Sequence, residues 1–344
     1  MQTKHINDME NPYIKQFPEL MSGKKILYVH GFASSGQSGT VTRLRTVFPN
    51  ATVIAPDLPI HPEEARTLLY NMCKDEQPDL IIGTSMGGMY TEQLYGYDRI
   101  CVNPAFRIAD TMGEHGMTGK QQFFSPRKDG IQEFYVDKPL VKEYRLISEQ
   151  NFAHADAEGE QQRVFGLFGD EDDLVNTRDL FKEHYCQHIG FHGEHRMNDN
   201  SFMHSIVPVI RWIDDRQEGR QRPIIYIGIE TAHLKGGESQ PESSFQKAIR
   251  FLIEKYQVYF VVPSHWEKTG EEVAWLAKYV GVPAWQHIIA TPRRDLLYGD
   301  YLIERPVESG EKKKDMLTSI IDFGSDTFKT WEEVIEYFSR LGGQ

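Results

Sequence analysis

Short apolar runs punctuate this chain at intervals that suit strands, and segments with helical spacing fill the gaps between them. "KKILYVHG" (Lys24–Gly31), "ATVIAPD" (Ala51–Asp57), "DLIIGTS" (Asp79–Ser85), "RICVNPA" (Arg99–Ala105) and "QRVFGLFGD" (Gln162–Asp170) are apolar on both faces. That is the pattern of parallel strands in a covered sheet. "SGTVTRLRTVF" and "HPEEARTLLYNMC" between them have the period of crossover helices. The alternation predicts an α/β domain with a parallel sheet.

Two stretches break the rhythm. Phe106–Glu160 carries aromatic pairs, "QQFFSPRKDGIQEFYV", and then a helix-like "KPLVKEYRLISEQNF". It is expected to be an insertion over the open end of the sheet, where α/β folds hold ligands. After a helical "SFMHSIVPVIRWI", the polar run to Pro223 has the composition of a linker. Alternation then restarts with "IIYIGIE", "SSFQKAIRFLIEKY", "VYFVVPS", "EEVAWLAKYVG", "AWQHIIAT", "GDYLIE", "LTSIIDFG" and "TWEEVIEYFSRL". The expected organisation is an N-terminal extension (1–22), a first α/β domain (23–214), a linker (215–223) and a smaller Rossmann-like α/β domain (224–344).

Composition narrows the function classes. A formal charge of −12 over 344 residues leaves no basic stripe for nucleic acid. The dense basic run "EKKKD" suits a solvated loop. No run is long enough to span a bilayer, and the polar N-terminus lacks the apolar core of a signal peptide. Three scattered cysteines point to a reduced compartment, so the expected location is cytoplasmic. Metal-ligand spacings such as C-x-x-C and H-E-x-x-H are absent, and no metal site is expected.

Candidate chemistry begins at "GTSMG", where Ser85 ends an apolar run between Gly83 and Gly87. A serine hydroxyl needs a base, a group to orient that base, and two N–H donors for the developing oxyanion. In α/β hydrolases the chain order is Ser, acid, His, with the serine on a strand-to-helix turn. The Met86 N–H is the first expected donor, and Phe32 in "YVHGFASSG" offers the second. His30 in the same loop is expected to be structural. For the acid, "GDEDDLVN" fits Gly-x-x-Asp-x-x-Val at Gly169, Asp172 and Val175, with Asp170 and Asp173 as alternatives. Among His188, His192, His195 and His204, the position of "GEHRM" before the final helix favours His195.

"YVHGFASSG", "IAPDLP", "GTSMGG", "VNPAFR", "DDLVNTRDL" and "GEHRM" resemble the YqiA-type small esterases of the α/β-hydrolase superfamily. The resemblance covers roughly Lys24–Ile213, and "VNPAFR" is its most family-specific element. It implies hydrolysis of short acyl esters by Ser85, His195 and Asp172, on a small-molecule substrate and with no cofactor. The N-terminal extension, the long insertion and the second domain depart from that family.

"YIGIETAHL", "HIIATPRRDLLYGDYLIERPVESG" and "SIIDFGSDTF" resemble the deoxyribonucleotidase branch of the haloacid-dehalogenase-like (HAD) superfamily. That family uses an aspartate nucleophile in D-x-D, an acid/base aspartate, a lysine, and late carboxylates for Mg²⁺. Here Gly228 stands at the nucleophile position and Glu230 at the acid/base position. Ser264 is all that remains of the second motif, Arg293 or Arg294 stands near the lysine position, and Glu304 alone keeps a late acid. Without the attacking carboxylate the covalent step is lost. The resemblance therefore implies an inactive HAD-like domain acting as scaffold, ligand sensor or the surface of a homo-oligomer. Competing readings are a binding protein built on two decayed enzyme folds and, third, a nucleotidase head.

Overall fold

In the first half of the chain the apolar runs form one parallel sheet. The structure is a computed structural model, and it describes residues 14–232, 243–263, 268–306 and 317–341. The chain divides into two units, Met1–Asp214 and Asp215–Gln344.

In the first unit the elements run β1 (Lys25–Val29), α1 (Gly39–Val47), β2 (Thr52–Ile54), α2 (Pro62–Glu76), β3 (Leu80–Thr84), α3 (Met86–Glu92), β4 (Arg99–Val102) and α4 (Ile108–Glu114). Then come β5 (Gly119–Gln122), β6 (Glu133–Val136), α5 (Lys138–Ser148), α6 (Glu160–Arg163), β7 (Val164–Gly169), α7 (Arg178–Lys182), β8 (His188–Phe191), α8 (Asp199–Ser201) and α9 (Val207–Glu218). The main sheet has the order β2-β1-β3-β4-β7-β8, with every pairing parallel. Burial on both faces explains the unbroken apolar runs, as in "LII" of β3, which is wholly buried. From β1 the chain steps to β2 on one side and to β3 on the other. That switch point opens a crevice at the carboxyl ends of β1 and β3.

The insertion is ordered. β5 and β6 form an antiparallel hairpin, and α5 starts at the N-cap Asp137, whose carboxylate accepts from the Leu140 N–H at 2.9 Å. Phe134, Val136, Leu140, Tyr144 and Ile147 join the same core as Leu27 and Ile81 of the sheet and Met89 of α3. The predicted linker is shorter than its composition suggested. α9 continues through Asp214 and Asp215 to Glu218, so helix occupies its first four positions.

In the second unit, β9 (Ile224–Gly228), α10 (Ser243–Leu252), β10 (Gln257–Val262), α11 (Thr269–Tyr279), β11 (Ile288–Ala290), β12 (Tyr301–Glu304), β13 (Ser319–Asp322) and α12 (Trp331–Leu341) follow. The sheet order is β11-β10-β9-β12-β13, again parallel throughout. Its core gathers Phe245, Ile249, Phe260, Trp331, Val334 and Phe338. The switch point lies between β9 and β12.

Candidate active site

β3 ends in a turn that only small residues permit. Ser85 adopts φ 56° and ψ −121°, a conformation few non-glycine residues tolerate. A Cβ on Gly87 would stand 2.0 Å from the Val29 carbonyl oxygen, and one on Gly83 2.1 Å from Thr91 Oγ1. The strained turn is held by its neighbours. The Ser85 N–H donates to the Val102 carbonyl at 2.9 Å, and its own carbonyl accepts from Gly88 (2.9 Å), Met89 (3.2 Å) and Ala105 (3.0 Å).

From this turn a hydrogen-bonded chain leads away. Ser85 Oγ lies 3.0 Å from His195 Nε2, and His195 Nδ1 lies 2.7 Å from Asp172 Oδ2. The other Asp172 oxygen accepts from the Leu174 and Val175 N–H groups at 2.9 and 2.8 Å, which fixes the carboxylate's direction. A carboxylate only accepts, so Nδ1 carries the proton and Nε2 is free to accept from the serine. The alternative acids face elsewhere. Asp170 meets His192 Nδ1 at 3.2 Å on the surface, and Asp173 is exposed. Asp170, Glu171 and His192 form an exposed group whose ligand-type atoms lie within 4.8 Å of one another.

The loop after β1 passes directly behind the serine. A Cβ on Gly31 would come 3.2 Å from that of Ser85, which places the Phe32 backbone beside the turn. Both ring nitrogens of His30 are engaged. Nδ1 donates to the Gly31 carbonyl at 2.8 Å, and Nε2 accepts from the Leu58 N–H at 3.0 Å. Burial pushes its pKa down to about 4, so it stays neutral and pins the loop. Met86 opens α3, with its N–H at the helix N-terminus.

The insertion reaches two of these loops. The Phe134 ring packs edge-on against Phe32 at 5.3 Å, and the Phe124 N–H donates to the Ala33 carbonyl at 2.8 Å. Across from them, the Arg196 guanidinium sits 4.7 Å over the Phe124 ring, one residue past His195. Reasoning from sequence assigned no role to Asn103, although it lies in "VNPAFR". Its side chain is buried and hydrogen-bonds to the ends of two different loops. The available signal was an asparagine followed by proline at a strand end, a residue that tolerates left-handed backbone.

In the second unit Gly228 ends β9 and Glu230 follows in a single 3₁₀ turn. A Cβ on Gly228 would lie 2.1 Å from Glu230 Oε1. The glutamate has folded into the space a residue-228 side chain needs. Glu304, at the end of β12, is buried, with Arg294 Nε 3.6 Å from its carboxylate. Arg305 Nε donates to the Glu230 carbonyl at 2.9 Å. Burial raises the Glu230 carboxyl pKa, and the neighbouring Glu304 adds to the rise against the pull of Arg294. Arg293 pairs with Asp295 at the surface. Ser264 lies outside the described residues.

A parallel sheet with a serine turn after β3, an acid after β7 and a histidine after β8 is the architecture of an α/β hydrolase. Residues 25–211, over half of the chain, match the family described as "Uncharacterised protein family (UPF0227)", and the chain belongs to that family. Among solved structures, Est1E from Butyrivibrio proteoclasticus is 14% identical with a TM-score of 0.40, over 60% of this chain and 92% of that one. The S-formylglutathione hydrolase of Staphylococcus aureus is 13% identical with a TM-score of 0.36, over 56% of this chain and 82% of that one. A "Putative 5'(3')-deoxyribonucleotidase" of Vibrio phage KVP40 is 26% identical over 133 residues, 37% of this chain and 71% of its own length. Among the described residues no helix is long and apolar enough to cross a membrane.

Proposed function

We propose that the first unit is a serine hydrolase of carboxylic esters, working through Ser85, His195 and Asp172. The carrying observation is the hydrogen-bonded chain of 3.0 and 2.7 Å from the serine hydroxyl through the imidazole to a fixed carboxylate. As Ser85 Oγ attacks the ester carbonyl carbon, its proton passes to His195 Nε2. Asp172 stabilises the imidazolium that results and holds its tautomer. The Phe32 and Met86 N–H groups receive the oxyanion. Collapse of the tetrahedral intermediate breaks the bond to the alcohol, which leaves with the proton from Nε2. A water, deprotonated by the same nitrogen, then adds to the acyl-enzyme, and the bond to Ser85 Oγ breaks as that oxygen takes the proton back from Nε2 and the acid leaves. No step calls for a cofactor. The resemblance to small esterases points to a short acyl group.

The second unit is proposed to be a HAD-like domain without phosphatase activity. Gly228 carries no nucleophile, and Glu230 fills the space one would occupy. Turnover of p-nitrophenyl esters of graded chain length, compared with Ser85→Ala, tests the hydrolase reading. Wild-type turnover greatest on the shortest chains and lost in the variant supports it. Equal turnover in both proteins refutes it.

A further inference from the structure

We propose that Asn103 is a positioning residue that holds the acid and base loops in register with the nucleophile. The inference rests on the hydrolase reading and adds to it a residue outside the Ser–His–Asp chain. Asn103 is 2% exposed, just past the end of β4, between the strand that carries Ser85 and the one that leads to Asp172. Its Nδ2 donates to the carbonyls of Glu194 and His195 at 3.2 and 3.1 Å. Its Oδ1 accepts from the Gly169 N–H at 2.8 Å. One amide therefore ties the end of the acid-bearing strand to the backbone of the base itself. A flipped amide would set its oxygen against two carbonyls and its NH₂ against an N–H, so the orientation is fixed.

The backbone around Asn103 completes the link. Its N–H donates to the Leu167 carbonyl of β7 at 2.8 Å, while the flanking Val102 carbonyl accepts from the Ser85 N–H and the Ala105 N–H donates to the Ser85 carbonyl. The Pro104 carbonyl accepts from Thr177 Oγ1 at 2.6 Å, at the far end of the acid loop. Residues 102–105 thus touch all three catalytic loops. Residue choice follows from two demands at one position. The backbone takes φ 42°, which asparagine, aspartate and glycine tolerate best. The side chain must also donate twice and accept once, which excludes the other two.

Asn103→Asp keeps the volume and the left-handed backbone but turns the donor into an acceptor facing two carbonyls. A displacement of about 1 Å in such a relay costs up to about a hundredfold in rate. The expected result is a folded protein whose kcat on p-nitrophenyl acetate falls ~10- to 100-fold with KM little changed. The acidic limb of its kcat/KM pH profile should also shift, because the His195 loop has moved. Asn103→Gly, which suits φ 42° and cannot make the links, should show the same kcat loss, and it decides the matter if Asn103→Asp does not fold. Wild-type kcat and an unshifted pH profile in the folded variants would overturn the assignment. Failure of a fluorophosphonate to label Ser85 in the wild type would instead sink the hydrolase reading underneath it.

Discussion

The two large sheets of this protein are built alike and furnished differently. Each is all-parallel, and each has a switch point beside a strand with a glycine at or near its end. At the first switch point a strained serine meets a histidine and a carboxylate. At the second, the strand ends in Gly228, and a glutamate from two residues further on has taken the vacant space. The fold supplies the crevice in both; only the residues at its edge decide whether chemistry can occur there.

The largest expected effect concerns the first crevice. Ser85→Ala and His195→Ala should each lower ester turnover by at least ~10³-fold while leaving the unfolding transition near that of the wild type. A loss for one variant and not the other would break the proposed relay. The second crevice should respond little. Gly228→Asp meets only the flexible end of Glu230, which can swing aside, so stability should change by less than about 1 kcal/mol. It should restore no phosphate release, because Arg294 lies against the late acid. Denaturant unfolding together with phosphate release from nucleotide monophosphates checks both halves. A loss of several kcal/mol would show that Glu230 is held rigidly over Gly228.

Charge state sharpens the contrast further. His30 titrates near 4 in the folded protein against 6.5 for an ordinary histidine. Between those values the unfolded chain binds a proton that the folded chain refuses, so stability falls as pH drops from about 6.5 towards 4. The full effect amounts to about 3 kcal/mol. Comparing unfolding midpoints of wild type and His30→Gln across that range isolates the contribution, and parallel profiles would refute it. Glu230 has the opposite sign. Its raised pKa means the ionised form is disfavoured in the folded state, so stability falls as pH rises through the ordinary carboxylate range. Glu230→Gln should therefore be neutral or stabilising at pH 7. A clear loss of stability would show that the carboxylate is held by favourable pairing.

Much of this was legible in the sequence wherever burial was two-sided. "KKILYVHG" and "DLIIGTS" became β1 and β3 within two residues at each end. Elements at the edges were harder to see. β2 shrinks to three partly exposed residues, and β8, "HIGF", has only alternate positions buried, so its histidine masked its period. The β5–β6 hairpin is polar on one face and was read only as an aromatic insertion. Around the candidate site, residue type and chain order single out Ser85, Asp172 and His195, since few side chains can take those roles. Asn103 is marked only by its place before Pro104 at a strand end, and its three hydrogen bonds to backbone atoms leave no spacing signature. Likewise, the folding of Glu230 over Gly228 depends on a rotamer, and no pattern in "YIGIETAHL" announces it.

The most direct test is mass-spectrometric mapping of a fluorophosphonate adduct on the full-length protein and on His195→Ala. A working nucleophile predicts one adduct, on the peptide containing Ser85, formed far more slowly in the variant. An unlabelled Ser85, or labelling at the same rate without His195, would contradict the account.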